Sequence, residues 1–166
     1  QGSFVSTRLL LRDRYNQLYG MGQIMTDISR QKAAEEILEN QRQELQLLLN
    51  SVHSAIWYLD RWGIIREANT VAQKIIGGEH LGKSFIELAE FWDDPAERQR
   101  EIMQVIRTGE PQLRSTESAH LNGKAHWFLV DKIPTQDKFG QVSGLLLTMM
   151  DVTDAVVREK ALRESE

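Results

Sequence analysis

The sequence contains no cysteine. Disulfides, thiolate metal sites, thiol nucleophiles and cysteinyl cofactor adducts are therefore excluded. An excess of positive charge is missing too: the formal net charge is −4, and the lysines and arginines are scattered among acidic residues. No basic field argues for a nucleic-acid partner. The apolar runs fall far short of the ~20 residues that a membrane-spanning helix needs. No segment reads as a signal peptide, so no membrane partner is expected and a cytoplasmic setting is the simplest. There is no Gly-rich phosphate loop, paired-histidine metal motif or nucleophile elbow. No catalytic residue and no metal ligand is assigned, and the chain is expected not to be an enzyme.

What remains is a normal globular mixture of 166 residues, 41% apolar and 27% charged, enough for one ordinary domain with some chain left over. The excess is explained by an internal repeat. Asp13, Gln17, Gly20, Asp27, Ile28 and Ser29 recur as Asp137, Gln141, Gly144, Asp151, Val152 and Thr153, each pair 124 positions apart, as 13 is from 137. The offset holds without a gap back to Phe4 and Phe128, with Arg8 matching Lys132 and Leu9 matching Ile133. Each copy reads as strand, polar turn, strand, then Asp with a β-branched or hydroxyl pair, then helix. About 100 residues precede the second tail and almost none the first, so residues 1–28 are expected to be the last hairpin of an upstream domain. Gln1-Gly2-Ser3 has the look of a cleaved tag. A period of this length fits whole domains in tandem rather than a solenoid.

The strands expected in the first copy are Phe4 to Arg12 and Leu18 to Thr26, around the turn at Asp13 to Gln17. Ser29 is the expected cap of a helix from about Arg30 to Ser51, rich in good helix formers. Its Ala34, Leu38, Gln41, Leu45, Leu48 and Val52 form a heptad-like stripe, read either as a coiled-coil linker that joins two chains or as the packed face of one domain. Ala55 to Leu59 and Ile64 to Glu67 read as a hairpin about Asp60-Arg61-Trp62-Gly63. Asn69 caps a short helix to Ile76, and a further helical stretch follows Gly82-Lys83-Ser84. Asp93-Asp94-Pro95 starts a longer helix to about Thr108. Leu113 to Leu121 and Lys124 to Ile133 flank Asn122-Gly123, a strong hairpin signal. The run Gln141 to Met150 is apolar enough to be the central strand. The fold class is α+β: a five-stranded antiparallel sheet with short helices gathered on one face.

In this order the residues resemble a PAS domain. The resemblance is carried by Asp60, Gly63-Ile64, Asn69, Gly77, Leu81-Gly82-Lys83-Ser84, Gly109, Trp127, Gly140, Gly144 and the closing Asp151-Val152-Thr153; Asp27-Ile28-Ser29 resembles the same closing motif of an upstream copy. It implies strand order 2-1-5-4-3 and a cavity between the sheet and the short helices. It also implies a homodimer joined through flanking helices, here residues 30–51, and a sensory role relaying a signal to an output domain. The output would be a histidine kinase of the two-component kind or a cyclic-dinucleotide enzyme. The expected domain limits are 1–28 for the upstream hairpin, 29–52 for the linker helix, 53–153 for the PAS domain and 154–166 for an exit helix.

Residues expected to line a cofactor or ligand cavity are Trp57, Phe85, Phe91, Trp92, Trp127 and Met149, although core packing accounts for large aromatics equally well. The cofactor is unknown. Covalent flavin needs a cysteine. Heme in this family uses a histidine in the long helix, where Gln99 stands between Arg98 and Arg100. The four histidines are His53, His80, His120 and His126. Across a two-residue turn His120 faces Ala125 and His126 faces Ala119, so the two imidazoles lie on opposite faces and do not share a metal. Asp151 and Thr153, with Asp27 and Ser29 in the first copy, are expected at the sheet-to-helix junction, where Thr153 or Asp154 caps the exit helix. Two functions fit: a module sensing a small molecule, or a ligand-free association module. The orphan hairpin, with apolar residues on both strands, is expected to be docked on something rather than free.

Overall fold

The computed structural model describes residues 2–165, with the side chain of Ala89 excepted; Gln1 of the opening tripeptide and Glu166 of the exit segment lie outside them. The chain divides into two compact units, residues 1–47 and 48–166.

The first unit holds a two-stranded antiparallel sheet, β1 (Phe4–Arg12) and β2 (Leu18–Asp27), and most of a long helix, α1 (Ser29–Ser51). Asp13 builds the turn: its carboxylate accepts from the Tyr15 and Gln17 amides at 2.8 and 2.9 Å. Asn16 takes the left-handed conformation that closes it, at φ 63°, which an Asn tolerates better than most residues. None of the residues of α1 is buried.

In the second unit the strands are β3 (Ala55–Asp60), β4 (Ile65–Ala68), β5 (Gln112–Leu121), β6 (Lys124–Gln136) and β7 (Val142–Asp151). They form one antiparallel sheet in the order β4-β3-β7-β6-β5. Counted within the domain this is 2-1-5-4-3, with the apolar β7 in the centre as its composition predicts. Between β4 and β5 come α2 (Thr70–Ile75), α3 (Phe85–Leu88), a 3-10 turn (Ala89–Phe91) and α4 (Pro95–Thr108); α5 (Thr153–Glu164) leaves the end of β7. Asn69 caps α2 and Asp94 caps α4, through bonds to the Ala72 and Glu97 amides.

One face of the sheet carries the core: Ala55, Trp57, Leu59, Phe128, Val130, Leu145, Leu147 and Met149 alternate along their strands and meet Phe85, Trp92, Ile102 and Val105 from the helical side. Asn69 joins three elements at the edge of this core. Its Oδ1 accepts from Ile56 N and Ala72 N at 3.0 and 2.9 Å, while Nδ2 donates to Leu49 O and Ser54 O at 3.1 and 2.9 Å. All four hydrogen-bonding capacities of the amide are used, which is what lets it be buried.

Candidate functional site

Two regions concentrate chemistry: the interior between sheet and helices, and the junction where β7 gives way to α5.

Of the residues expected to line the interior, Trp57, Phe85, Trp92 and Met149 are buried in one core and Phe91 packs against it. Trp127 is placed elsewhere. Residues on β6 alternate faces, and it is Phe128, fully buried, that turns inward. Trp127 lies on the opposite side of the strand, where the Lys160 ammonium of α5 sits 4.4 Å from its ring centroid. The interior also holds polar groups that sequence patterning did not disclose. His80 is buried; Trp57 Nε1 donates to its Nδ1 at 3.2 Å, and its Nε2 lies 2.5 Å from Ile76 O. A neutral ring protonated on Nε2 satisfies both bonds, and neither nitrogen is left to hold a metal. Lys132, on the core face of β6, pairs with Glu117 of β5 and with Glu101 of α4, the latter at 2.9 Å. Arg98 bridges the same two carboxylates at 2.9 and 3.0 Å. The buried Lys132 and Glu117 are thus neutralised by each other and by the half-buried Arg98 and Glu101, the arrangement that makes buried charge tolerable. Gln99 is exposed, and α4 turns Arg98 and Ile102 inward instead.

His126 and His120 lie on opposite faces in the register the turn predicts, with His126 opposite Ala119 and His120 opposite Ala125. His120 Nδ1 is 2.7 Å from an Asp93 oxygen, and the Ser118 hydroxyl donates to the other oxygen of the same carboxylate. Those two bonds hold the Asp93 carboxyl below its usual value, Ser118 first and His120 second, against a small opposing effect of burial. The aspartate stands between the serine and the histidine, so the imidazole has no contact through which to activate the hydroxyl. On the inner face His126 stacks on Phe128, centroids 6.1 Å apart, and its Nδ1 lies 3.1 Å from Asp151 Oδ2.

Asp151 organises the junction. Its Oδ1 accepts from the Thr153 amide at 2.9 Å and from the Thr153 hydroxyl at 2.5 Å. The same hydroxyl oxygen accepts from Trp127 N at 3.0 Å, and Val152 N donates to Trp127 O at 2.8 Å. Thr153 therefore does not cap α5. The cap position is Val152, without a side-chain bond, because the Thr153 oxygen is committed to β6. Burial by itself raises the Asp151 carboxyl, but the two Thr153 bonds and the adjacent His126 outweigh it, and the group lies below its usual value. Beside this latch is a groove of about 500 Å3 lined by His126, Asp151, Thr153, Ala155 and Arg158 among others.

The first unit contains the same latch, bond for bond, 124 positions earlier. The Ser29 amide and hydroxyl donate to Asp27 Oδ1 at 2.9 and 2.6 Å, Ser3 N donates to Ser29 Oγ at 2.8 Å, and Ile28 N to Ser3 O at 2.9 Å. The Ser29 bonds also lower the Asp27 carboxyl. Ser29, expected as a cap, is the first residue of α1. The turns match as well: Asp137 accepts from Phe139 N and Gln141 N as Asp13 does from Tyr15 N and Gln17 N. So does the pairing, Phe4 with Asp27 and Phe128 with Asp151, down to the irregularity after Leu11 and after Thr135.

The sequence matches the family described as PAS fold over residues 43–152. No curated protein matches it. Among solved structures, the chain is similar to the PAS domain of Bordetella pertussis BvgS, at 19% identity and TM-score 0.51, covering 76% of this chain and 99% of that one. It is similar to the PAS domain of an HTR-like protein from Haloarcula marismortui, at 21% identity and TM-score 0.57, covering 72% and 98%. It is also similar to Vibrio cholerae VqmA, a dimer that changes conformation in the absence of its target DNA, at 21% identity and TM-score 0.57, covering 68% of this chain and 52% of that one. The chain thus spans about half the length of that relative. At these identities what is shared is the fold. With the family match covering well over half of its residues, this chain belongs to the PAS family.

Proposed function

We propose that this chain is a non-catalytic sensory relay module that works as a homodimer. In this reading the state of the PAS interior is carried to the helix that leaves it, and from there to an output domain such as a histidine kinase or a cyclic-dinucleotide enzyme. The observation that supports it is the duplicated latch. Twice in this chain a helix leaves the end of a hairpin, and both times an aspartate fixes the hydroxyl residue two positions on, which in turn holds the backbone at the start of the hairpin's first strand. In the PAS domain the latch is also in touch with the core, since Phe128 meets Trp92 edge-on at 6.2 Å and stacks on the His126 that faces Asp151. A change at the aromatic wall has a short physical path to the first turn of α5. In the first unit the helix is α1, which would be the output of one module and the input of the next.

The apolar stripe of α1 supports the dimer. Leu38, Leu45 and Leu48 are exposed, and a helix gains most of its stability by burying such a stripe against a partner. The relay and the dimer are tested together by fusing a histidine-kinase output after α5. Asp151→Asn should change kinase output several-fold while the domain stays folded by circular dichroism. Leu45→Asp should make the fusion monomeric in sedimentation and remove its regulated activity. A fusion whose output ignores both substitutions would sink the proposal.

A further inference from the structure

One five-residue turn is built three times in this chain: Asp13-Arg14-Tyr15-Asn16-Gln17, Asp60-Arg61-Trp62-Gly63-Ile64 and Asp137-Lys138-Phe139-Gly140-Gln141. Each time the aspartate Oδ1 accepts from the amides two and four residues on, at 2.8 and 2.9 Å, 2.9 and 3.1 Å, and 2.8 and 3.0 Å in chain order. Each time the fourth residue is left-handed, at φ 63°, 79° and 78°. Those two positions satisfy the turn, and its second and third places accept most residues. All three turns nevertheless hold a cation followed by an aromatic ring. Tyr15, Trp62 and Phe139 are 71, 70 and 77% exposed, with Arg14, Arg61 and Lys138 at 5.1, 5.6 and 5.0 Å from their ring centroids. A cation–ring contact this exposed adds little to the fold, so the turns do not explain their own tips.

In the second unit two of these turns stand side by side. Asp60 ends β3 and pairs with Gly144, and the other turn closes at Gln141, immediately before β7 begins at Val142. Arg61, Trp62, Lys138 and Phe139 therefore project from one end of the sheet. The exposed Lys83 is held there too, its carbonyl accepting from Ile65 N at 2.9 Å. The carboxylates beside them face inward, Asp137 onto the amides of its turn and Asp60 onto its own turn and Arg66. The tips are left with cations and rings.

We propose that this end of the sheet is a contact for an anionic lipid surface, with Trp62 and Phe139 set at headgroup level and Arg61, Lys83 and Lys138 against the lipid anions. The chemistry of the tips favours a lipid layer over a protein pocket. The three turns vary the ring between Tyr, Trp and Phe, and the cation between Arg and Lys, while keeping the class of each. A pocket that reads one ring or one guanidinium does not tolerate such exchange; a headgroup layer takes any of them. A nucleic-acid strand needs a groove that tracks its backbone, and these rings stand on exposed turn tips. A surface contact needs no spanning segment, so the shortness of the apolar runs does not speak against it. The net charge of −4 confines the attraction to the turns, and the contact is weak and reversible.

The test floats the 166-residue protein with phosphatidylcholine vesicles that contain or lack phosphatidylserine. The protein should float with the anionic vesicles and stay behind with the neutral ones, and added salt should release it. Trp62→Ser with Phe139→Ser, and separately Arg61→Gln with Lys138→Gln, should each weaken binding about tenfold or more. The melting temperature should not change, since all four side chains are exposed. Leu162→Ser, at a similarly exposed apolar residue of α5, should bind as the parent does. Trp57 and Trp92 are buried, so a blue shift of tryptophan emission on adding anionic vesicles reports chiefly on Trp62; it should vanish in Trp62→Phe, which still floats. Failure to float with the anionic vesicles overturns the proposal, as does flotation that both paired substitutions leave intact or that Leu162→Ser lowers equally. Binding of an oligothymidine strand through the same residues, without flotation, would make the tips a nucleic-acid contact and overturn it too.

Discussion

At the scale of single residues, the domain invests in polar groups that work only when fully partnered. Asn69 uses all of its amide capacity to tie Leu49, Ser54, Ile56 and Ala72 together. The quartet about Lys132 does the same with charge, and removing one member would strand the others in a medium that solvates them poorly. Asp151 is more exposed and more tunable. Its carboxyl is lowered in the folded protein, so the stabilisation it gives is present above its ordinary value of 3.8 and is lost as the pH falls through the lowered folded value. Asp151→Asn should therefore melt below the parent protein at about pH 7, and the gap should close near pH 3 or below. Thermal melts across that range check the sign; a gap that stays constant down to pH 3 would show that the charge of Asp151 has no part in the latch.

At the scale of elements, the repeat gives an internal control that few single chains offer. Phe4, Met21 and Met25 are 56, 66 and 62% exposed, while the residues 124 positions on, Phe128, Leu145 and Met149, are 0% exposed. Glycine tells the same story more sharply. A Cβ on Gly144 would lie 2.1 Å from the Leu59 carbonyl oxygen of the neighbouring β3, whereas on Gly20 it would meet nothing nearer than a Leu11 methyl at 3.8 Å. The first hairpin keeps a glycine for which its own unit gives no steric reason. Gly144→Ala should cost at least about 3 kcal/mol, because β3 cannot stay paired around it. Gly20→Ala should stay within about 0.5 kcal/mol. Urea unfolding of the second unit measures both, and equal effects would remove the steric distinction between the copies.

Elements were also where the sequence was most legible. The Asn122-Gly123 turn, the Asp94-Pro95 start of α4 and the apolar β7 announced themselves through local chemistry. So did the latch, because it occurs twice at a fixed offset, although its hydroxyl proved to hold a strand rather than cap a helix. The size of Trp127 argues for an interior position, but alternation from His126, which faces the buried Ala119, points to Phe128 instead. Glu117, Lys132 and His80 left no such trace. Polar residues at inward positions oppose the pattern used to find strands, and His80 lies in a loop without periodicity; only the assembled register brings their partners to them.

For the whole molecule, the central claim is that α5 is coupled to the sheet through Asp151, Thr153 and Trp127 rather than merely following it in sequence. Among the described residues no helix is long and apolar enough to cross a membrane, and α5, with no buried residue, has few anchors besides the latch and the Lys160–Trp127 contact. Amide hydrogen exchange of Thr153→Val measures this most directly, since the substitution keeps the shape of the side chain and removes only the hydroxyl shared by Asp151 and Trp127. The amides of the first turn of α5 should exchange at least about tenfold faster, the equivalent of one hydrogen bond, while protection in β3 and β7 is unchanged. Unaltered exchange in α5, or a uniform rise across the whole sheet, would contradict the claim.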